Sequence, residues 1–288
     1  MATSLETVAF AADDGVGNQL RIARTQVPTD SLVVLLPAMG TPATKYDALL
    51  TSLAENGVHA ASFDLRGHGA SSVRAGRQSD FSYTKLINQD LVAALNALRE
   101  QFPTHKVVLS GHSLGGQIAA LYLARHLPTD VRGLCLLASC TVDYRGWTGT
   151  RKVGTLLFTQ AAYLIAKLVG HLPGRQIGFA AREARGVMRD WASNARSGRY
   201  VLLNDTFDYE SSLARVTTPT FAINFSDDGY APVAATERLL NKFSPHAQRE
   251  QRLINAEQMG VQQAGHFTFL RHPELIATHI ANWAKQLG

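Results

Sequence analysis

The chain has 288 residues, of which 45% are hydrophobic and 18% charged, and this composition is typical of a soluble globular protein. It contains no repeat or low-complexity tract, and Met1–Glu6 lacks the basic and apolar regions of a secretory signal. Its two cysteines, Cys135 and Cys140, are spaced too widely for a C-x-x-C motif and have no histidine pair nearby. We therefore expect buried reduced thiols in a cytoplasmic protein.

Strand and helix signals alternate along most of the chain. Two early strands, near residues 7–12 and 20–27, flank the turn signal Asp13-Asp14-Gly15 and predict a hairpin. Six further strands and four helices are predicted, namely strands 32–36, 59–64, 107–110, 133–138, 221–225 and 251–254, and helices 46–56, 83–101, 117–125 and 273–286. This alternation predicts a mainly parallel sheet with helices on both faces, in which an active site lies beyond the carboxyl ends of the strands.

The pentapeptide Gly111-His112-Ser113-Leu114-Gly115 joins the apolar run 107–109 to the predicted helix 117–125. Such a context is typical of a nucleophile elbow, a sharp strand-to-helix turn that lifts a serine hydroxyl above the sheet. Small flanking residues let the backbone bend there without a clash. We therefore predict that Ser113 is a nucleophile. A glycine-rich turn that merely opens a helix is the alternative, and the flanking strand and helix disfavour it.

A serine hydroxyl is a poor nucleophile at neutral pH, so it needs a base and an acid that orients the base. In this arrangement the chain order is serine, acid, histidine. His266, just before the last predicted helix, is the candidate base. Two aspartates, Asp227 and Asp228, follow the predicted strand 221–225 and compete for the role of the acid.

The predicted chemistry also needs two backbone N–H groups aimed at the charge that develops on the substrate oxygen. The amide of Leu114, directly after the nucleophile, is one candidate. The other should come from the loop after an early strand, where strand 32–36 runs into Pro37-Ala38-Met39-Gly40. Met39 is the candidate donor in that loop, with an immediate neighbour as the alternative.

These motifs, together with the segment 63–71, resemble the α/β-hydrolase superfamily over nearly the full chain. That segment looks like the D-x-R-G-x-G-x-S loop of many such enzymes, which implies that Asp64 and Arg66 hold loop backbone and that His68 is scaffold. The resemblance also favours Asp228 over Asp227 as the acid, because Asp228 precedes Pro232 by the spacing of the family's acid loop. Asp227 is then expected to face solvent or to cap the next helix.

The resemblance implies an α/β-hydrolase fold, with a mostly parallel sheet flanked by helices and a helical cap insertion. Many esterases carry His-Gly where this chain has Pro37-Ala38, so the assignment of Met39 rests on position. Residues 37–40, 189–191 with 197–200, and 225–228 are similar to a bacterial subgroup of predicted α/β hydrolases. This narrower resemblance implies no substrate.

Residues 141–212 show no strand signal, and we predict that they form the helical cap on a core domain of residues 1–140 and 213–288. The segment 153–170 is long and apolar, but Gln160 and Lys167 interrupt it, so we expect a helix that lies on the pocket rather than a membrane span. An apolar stripe recurs in this segment at helical spacing: Leu156, Leu157, Ala161, Leu164 and Leu168. Core packing is the default explanation for the stripe, and pocket lining is the alternative.

Charge is distributed unevenly along the chain. Residues 141–200 contain ten Arg or Lys and three Asp or Glu, a balance of +7, whereas the whole chain carries +5 and the remainder therefore −2. Two explanations fit this excess of positive charge. One is a basic face exposed to solvent, and the other is a cap that attracts an anionic substrate or surface. No nucleic-acid-binding signature accompanies the charge, so nucleic acid is not an expected partner.

Together these patterns predict a serine hydrolase that uses no cofactor or metal and cleaves a carboxylic ester or thioester through an acyl-enzyme. The expected partner is a small-molecule ester or thioester, with no integral membrane association. An acyltransferase that passes the same acyl group to an alcohol is the closest alternative. A binding protein that keeps the fold and pocket without turnover is another.

Overall fold

The computed structural model describes residues 5–287. Part of the segment in which we expect no secretory signal, residues 1–4, therefore lies outside the described residues. The described chain contains ten strands: β1 Leu5–Ala11, β2 Gly17–Ala23, β3 Ser31–Leu36, β4 His59–Phe63, β5 Lys106–His112, β6 Val131–Leu137, β7 His171–Pro173, β8 Arg182–Ala184, β9 Thr220–Phe225 and β10 Arg249–Ile254. It also contains ten α-helical segments: α1 Asp47–Glu55, α2 Tyr83–Lys85, α3 Leu91–Gln101, α4 Leu114–His126, α5 Gly149–Val169, α6 Arg185–Ser197, α7 Tyr209–Leu213, α8 Val233–Leu240, α9 Ala256–Met259 and α10 Glu274–Gln286.

Eight of the strands form one sheet in the order β1-β2-β4-β3-β5-β6-β9-β10. The first two strands form the predicted hairpin, and β2 is antiparallel to β4, whereas the remaining neighbours are all parallel. The predicted mostly parallel sheet flanked by helices is therefore confirmed.

The central strand β3 is buried on both faces, because every one of its residues is covered. Val34 and Leu36 pack into the core under α3 and α4, while Val33 and Leu35 pack into the core under α1 and α10. This division follows from the alternation of side chains along a strand. Two hydrophobic cores thus hold the sheet between helical layers and fix the carboxyl ends of its strands at one edge.

The predicted helix 83–101 is interrupted in the middle. A π-helical turn, Leu86–Asp90, separates α2 from α3. The wider turn accompanies the buried Asp90, whose carboxylate accepts hydrogen bonds from the Arg66 guanidinium at 2.7 to 3.0 Å. A single wider turn cannot be recognised from sequence periodicity, because the apolar residues on either side of it keep helical spacing.

The insertion after β6 contains α5 and α6, as expected for a helical cap, but the expectation that it has no strand character is wrong. Strands β7 and β8 form a two-stranded antiparallel sheet in which Leu172 pairs with Glu183. Each strand has only three residues, so no alternating pattern long enough to be recognised exists in the sequence. Helix α7 spans the predicted boundary at residues 212 and 213 and contacts α4 of the core.

The apolar stripe on α5 does not pack into the core, and this corrects the default expectation for it. The buried residues of α5 are Thr159, Ala162 and Ala166, whereas Leu157, Ala161, Leu164 and Leu168 of the stripe are exposed and Leu156 is half-buried. By length and composition α5 could cross a membrane, and it is the one such helix in residues 5–287. In the structure it packs along α6.

Candidate active site

Ser113 lies at the turn between β5 and α4 with φ 53° and ψ −117°, a backbone conformation that non-glycine residues rarely adopt. The turn is tight because backbone atoms pack against both flanking glycines. A Cβ atom on Gly111 would collide with the backbone of Gly116, and one on Gly115 would collide with the Leu36 carbonyl. The local strain therefore presents the Ser113 side chain at the sheet edge, as the elbow pattern predicts.

His266 and Asp228 are brought together from loops that follow β10 and β9. Nδ1 of His266 lies 2.7 Å from Oδ2 of Asp228, and both side chains are almost fully buried. The other carboxylate oxygen accepts the backbone N–H groups of Tyr230 and Ala231, at 2.8 and 3.1 Å. These bonds stabilise the ionised carboxylate and aim it at the imidazole.

Asp227 has a different task in the same loop. Its carboxylate accepts the backbone N–H of Ala264 at 2.8 Å, and its own N–H donates to the Ala264 carbonyl. The side chain is exposed, as expected, but it ties the loop before His266 rather than capping α8. The two neighbouring aspartates thus contact the same loop at different points.

Ser113 and His266 line one cavity of about 240 Å³, together with Met39 and Leu114. Within residues 5–287 no hydrogen bond joins the Ser113 hydroxyl to the imidazole of His266. Such bonds are often long in enzymes without bound substrate and tighten in the complex. Four of the predicted site residues therefore line one cavity, and Asp228 is joined to it through its contact with His266.

Two of the residues that line this space have backbone amides without a partner in the described residues. Leu114 is the first residue of α4, where an N–H has no acceptor within the helix, and the N–H of Met39 makes no hydrogen bond in the described part of the chain. The neighbouring Ala38 N–H is already engaged, because it donates to the Tyr46 hydroxyl at 2.8 Å. The geometry favours Met39 over Ala38 as the second oxyanion donor.

Sequence reasoning missed the pair formed by Tyr46 and His112. The Tyr46 hydroxyl accepts the Ala38 N–H at 2.8 Å and shares a hydrogen bond of 2.7 Å with Nδ1 of His112. Complete burial lowers the pKa of His112 well below its usual value, and the nearby His266 lowers it further. His112 is therefore neutral and links the oxyanion loop to the elbow. The only sequence signal for His112 is its place within the pentapeptide 111–115.

Comparison with known proteins agrees with this geometry. A sequence model of the family described as serine aminopeptidase, S33, matches residues 27–256, which is most of the chain and includes Ser113 and Asp228. The chain belongs to this family of α/β hydrolases. His266 lies beyond the matched range.

A candidate non-heme haloperoxidase of Mycobacterium phage D29 is 25% identical to this chain, and the match covers 96% of this chain and 93% of the phage protein. The soluble variant of monoglyceride lipase from Saccharomyces cerevisiae, solved with a substrate analog, is 18% identical with a TM-score of 0.70 and covers 99% of this chain and 97% of its own. Est1E from Butyrivibrio proteoclasticus, solved with ferulic acid, is 13% identical with a TM-score of 0.65, at 96% and 98% coverage. At such identities the two structures show the shared fold.

The loop after β4 is joined to neighbouring segments of this hydrolase by the polar contacts of its side chains. The Asp64 carboxylate accepts the N–H groups of Ala43 and Ala70, as expected of a residue that holds loop backbone. Arg66 behaves differently from the expectation, since its guanidinium binds the carboxylates of Asp14 and Asp90. A buried guanidinium needs negative partners more than it needs carbonyl groups. Arg66 thus joins the first hairpin to the start of α3.

His68 connects this loop to the cap of the hydrolase. Its Nε2 lies 3.1 Å from Oε2 of Glu183 on β8, and both side chains are buried. Burial opposes the charge on His68, but the charge and hydrogen bond of Glu183 outweigh it, so the pKa of His68 is raised. The cap is therefore attached to the core by a pair whose strength depends on pH.

Aromatic and sulfur-containing side chains complete the cavity wall. Phe179 and Trp191 of the cap lie with ring centroids 5.5 Å apart, and Tyr230 packs 5.3 Å from the His266 ring. Cys140 also lines the cavity, and burial raises the pKa of its thiol far above the usual value, so it is not a competing nucleophile. Cys135 and Cys140 are both buried and free of disulfides, as expected.

Proposed function

We propose that this α/β hydrolase cleaves a carboxylic ester or thioester through a covalent acyl-enzyme on Ser113. One observation carries the proposal: the strained Ser113, His266 and two residues with unpartnered amides line the same cavity, and His266 is held by the buried Asp228. This combination supplies a nucleophile, an oriented base and a place for an oxyanion. The Asp228 carboxylate holds Nδ1–H of His266, so the Nε2 lone pair is free to accept a proton.

Acylation begins when Nε2 of His266 removes the proton from Ser113 Oγ while Oγ attacks the acyl carbon. The carbonyl oxygen becomes an oxyanion that accepts hydrogen bonds from the N–H groups of Met39 and Leu114. The C–O or C–S bond to the leaving group then breaks, and Nε2–H of His266 protonates the departing oxygen or sulfur. The acyl group remains as an ester on Ser113.

Deacylation repeats these steps with water. His266 takes a proton from a water molecule while the water oxygen attacks the acyl carbon, and the same two amides stabilise the second oxyanion. The bond between the acyl carbon and Ser113 Oγ breaks, Oγ recovers its proton from His266, and a carboxylic acid leaves. An alcohol in place of water would give acyl transfer, and nothing in the cavity favours an alcohol over water.

The cavity indicates the kind of acyl group that would fit. Its walls are mostly apolar, and a second cavity of about 320 Å³ shares Val142, Phe179, Trp191 and Tyr230 with it. An apolar acyl chain would therefore lie toward the cap, with the leaving group toward solvent. Nε2–H of His266 can protonate either an oxygen or a sulfur, so the proposal includes both esters and thioesters.

Labelling with a fluorophosphonate, paired with turnover of short and long p-nitrophenyl esters, tests the proposal. The wild-type protein is expected to label rapidly and to lose activity in step with labelling. Ser113→Ala and His266→Ala should each abolish turnover while circular dichroism shows an intact fold, because a triad acts as a unit. If purified Ser113→Ala retained most of the activity, Ser113 would not be the nucleophile.

A further inference from the structure

The outer face of α5 is unusually apolar for a solvent-exposed helix. Among residues 5–287, 13 large hydrophobic side chains are exposed, and seven of them lie between residues 153 and 177. Six of these are on α5, and four of the six recur at spacings of four and seven residues, which places them on one side of the helix. We call these four the α5 face: Val153, Leu157, Leu164 and Leu168. The buried residues Thr159, Ala162 and Ala166 lie on the opposite side.

This pattern is reversed relative to an ordinary surface helix, in which the apolar stripe faces the protein. A contiguous exposed apolar patch marks a surface that contacts something else. The helix does not need to cross a bilayer to use it, because its inner side packs along α6 and its first and last turns carry Arg151, Lys152 and Lys167. A helix of this type lies in the plane of a membrane interface.

The surrounding charge indicates which surface fits. Arg151, Lys152, Lys167 and Arg175 flank the α5 face in the chain and form no salt bridge within the described residues. Residues 141–200 carry +7, so two copies that met through this face would repel each other. Anionic phospholipid headgroups complement the same charge, at about 1 kcal/mol for each basic residue near the surface.

Another side chain of α5 reaches the cavities. Phe158 lies edge-on to Phe179 at 4.9 Å and to Trp191 at 6.2 Å. Phe158 lines the second cavity, and Phe179 and Trp191 line both cavities. The helix that carries the α5 face therefore also contributes to the wall of the second cavity.

We propose that the α5 face docks the protein onto the surface of an anionic lipid bilayer, with the apolar side chains inserted at the interface and the flanking cations on the headgroups. Docking is independent of the proposed catalytic role, since no residue of the α5 face lines either cavity. It would let an acyl ester dissolved in the bilayer reach the cavity without crossing water.

Sedimentation with lipid vesicles tests the proposal, using Ser113→Ala protein so that no substrate is consumed. This protein is expected to sediment with vesicles of phosphatidylcholine and phosphatidylglycerol, less with phosphatidylcholine alone, and less as salt rises. The double variant Leu157→Asp/Leu164→Asp should bind about tenfold more weakly or worse, because two exposed leucines are lost and two charges repel the headgroups.

Leu127→Asp/Leu253→Asp is the matched control, because these leucines are 57% and 54% exposed, against 64% and 55% for Leu157 and Leu164, and lie outside the cap. It should bind vesicles like the parent protein. In the wild-type background both double variants should turn over a short soluble p-nitrophenyl ester normally, which verifies their folding.

Equal vesicle binding by Leu157→Asp/Leu164→Asp and its parent, or no binding by the parent, would overturn the proposal. Size-exclusion chromatography with light scattering provides the other decisive measurement. A parent dimer that becomes a monomer in Leu157→Asp/Leu164→Asp would show instead that the α5 face is an interface between copies. Loss of vesicle binding with normal ester turnover would leave the proposed hydrolase function intact.

Discussion

At the scale of single residues, the two neighbouring aspartates in the loop after β9 differ in what they contact. Asp228 is buried against His266 and accepts two further backbone hydrogen bonds, whereas the exposed Asp227 ties the backbone of Ala264. A carboxylate that holds Nδ1–H of the base selects its reactive tautomer. A carboxylate that holds only loop backbone affects position and stability.

Replacing each aspartate by asparagine separates these tasks. Asp228→Asn should lower kcat by about 10⁴, because an amide at that point can donate to Nδ1 and favour the wrong tautomer. Asp227→Asn should lower kcat far less and reduce the melting temperature slightly. Steady-state turnover of one p-nitrophenyl ester measures both, and a greater loss at Asp227 would contradict the assignment.

Tyr46 is a second residue whose contribution is expected to be specific, as a positioning residue. Tyr46→Phe leaves the buried N–H of Ala38 without an acceptor, next to the proposed oxyanion donor Met39, and removes the hydrogen bond to Nδ1 of His112. We expect kcat to fall about tenfold to a hundredfold with little change in KM, as part of the roughly 3–4 kcal/mol that one oxyanion donor supplies.

Tyr209→Phe is the control for Tyr46→Phe. Tyr209 is fully buried and its hydroxyl donates to Asp205 at 3.0 Å, but it does not line the cavity. It should lose stability, by about 1 kcal/mol for a typical hydrogen bond, and keep kcat. Equal losses of kcat in the two variants would mean that Tyr46 acts only through stability.

At the scale of elements, β8 of the cap is attached to the loop after β4 by the buried pair of His68 and Glu183. The pKa of His68 is raised in the folded state, so the folded protein binds this proton more tightly than the unfolded chain does. The resulting stability is complete below the unfolded pKa, at about 6.5, and is lost as pH rises through the folded pKa.

The contribution of this pair to the melting temperature should therefore decline as pH rises from about 6 to 9, and His68→Gln should remove that decline. Glu183→Gln should flatten it as well, because the raised pKa depends on the Glu183 charge. Differential scanning fluorimetry across this range measures the slopes. Parallel slopes for the wild-type protein and His68→Gln would exclude this pair as the source of the pH dependence.

At the scale of the whole molecule, the positive charge is concentrated in residues 141–200, which carry +7, while the rest of the chain carries −2. Three of the ten cations in that segment, Arg145, Arg185 and Arg189, pair with aspartates, and the other seven make no salt bridge in the described residues, among them Arg175 and Arg182. These last two line a cavity of about 510 Å³ that also contacts Gly40 of the oxyanion loop. A negative leaving group would be attracted there.

If this charge recruits substrate, kcat/KM for an anionic acyl thioester should fall as salt rises, while that for a neutral ester of equal acyl length should hardly change. Arg175→Glu/Arg182→Glu should reproduce the effect of salt. Arg196→Glu/Arg199→Glu, at the far end of α6, removes the same charge as a control. Equal salt dependence for both substrates would leave the basic cap without a role in substrate capture.

The sequence by itself determined the order of elements, the mostly parallel sheet and the place of the elbow. These features are encoded locally, in apolar periodicity and in the glycines around Ser113, where contacts with adjacent backbone exclude a side chain. It also brought His266 and the aspartates to one edge of the sheet, because the carboxyl ends of parallel strands meet there.

Only the tertiary structure decided which aspartate contacts His266, since Asp227 and Asp228 are adjacent and their side chains leave the backbone in different directions. It likewise decided that Tyr46 meets His112 across 66 positions of the chain. The stripe on α5 is the clearest case. Helical spacing shows that Leu157 and Leu164 share a face, but what a face contacts depends on how distant segments pack, and here they leave it to solvent.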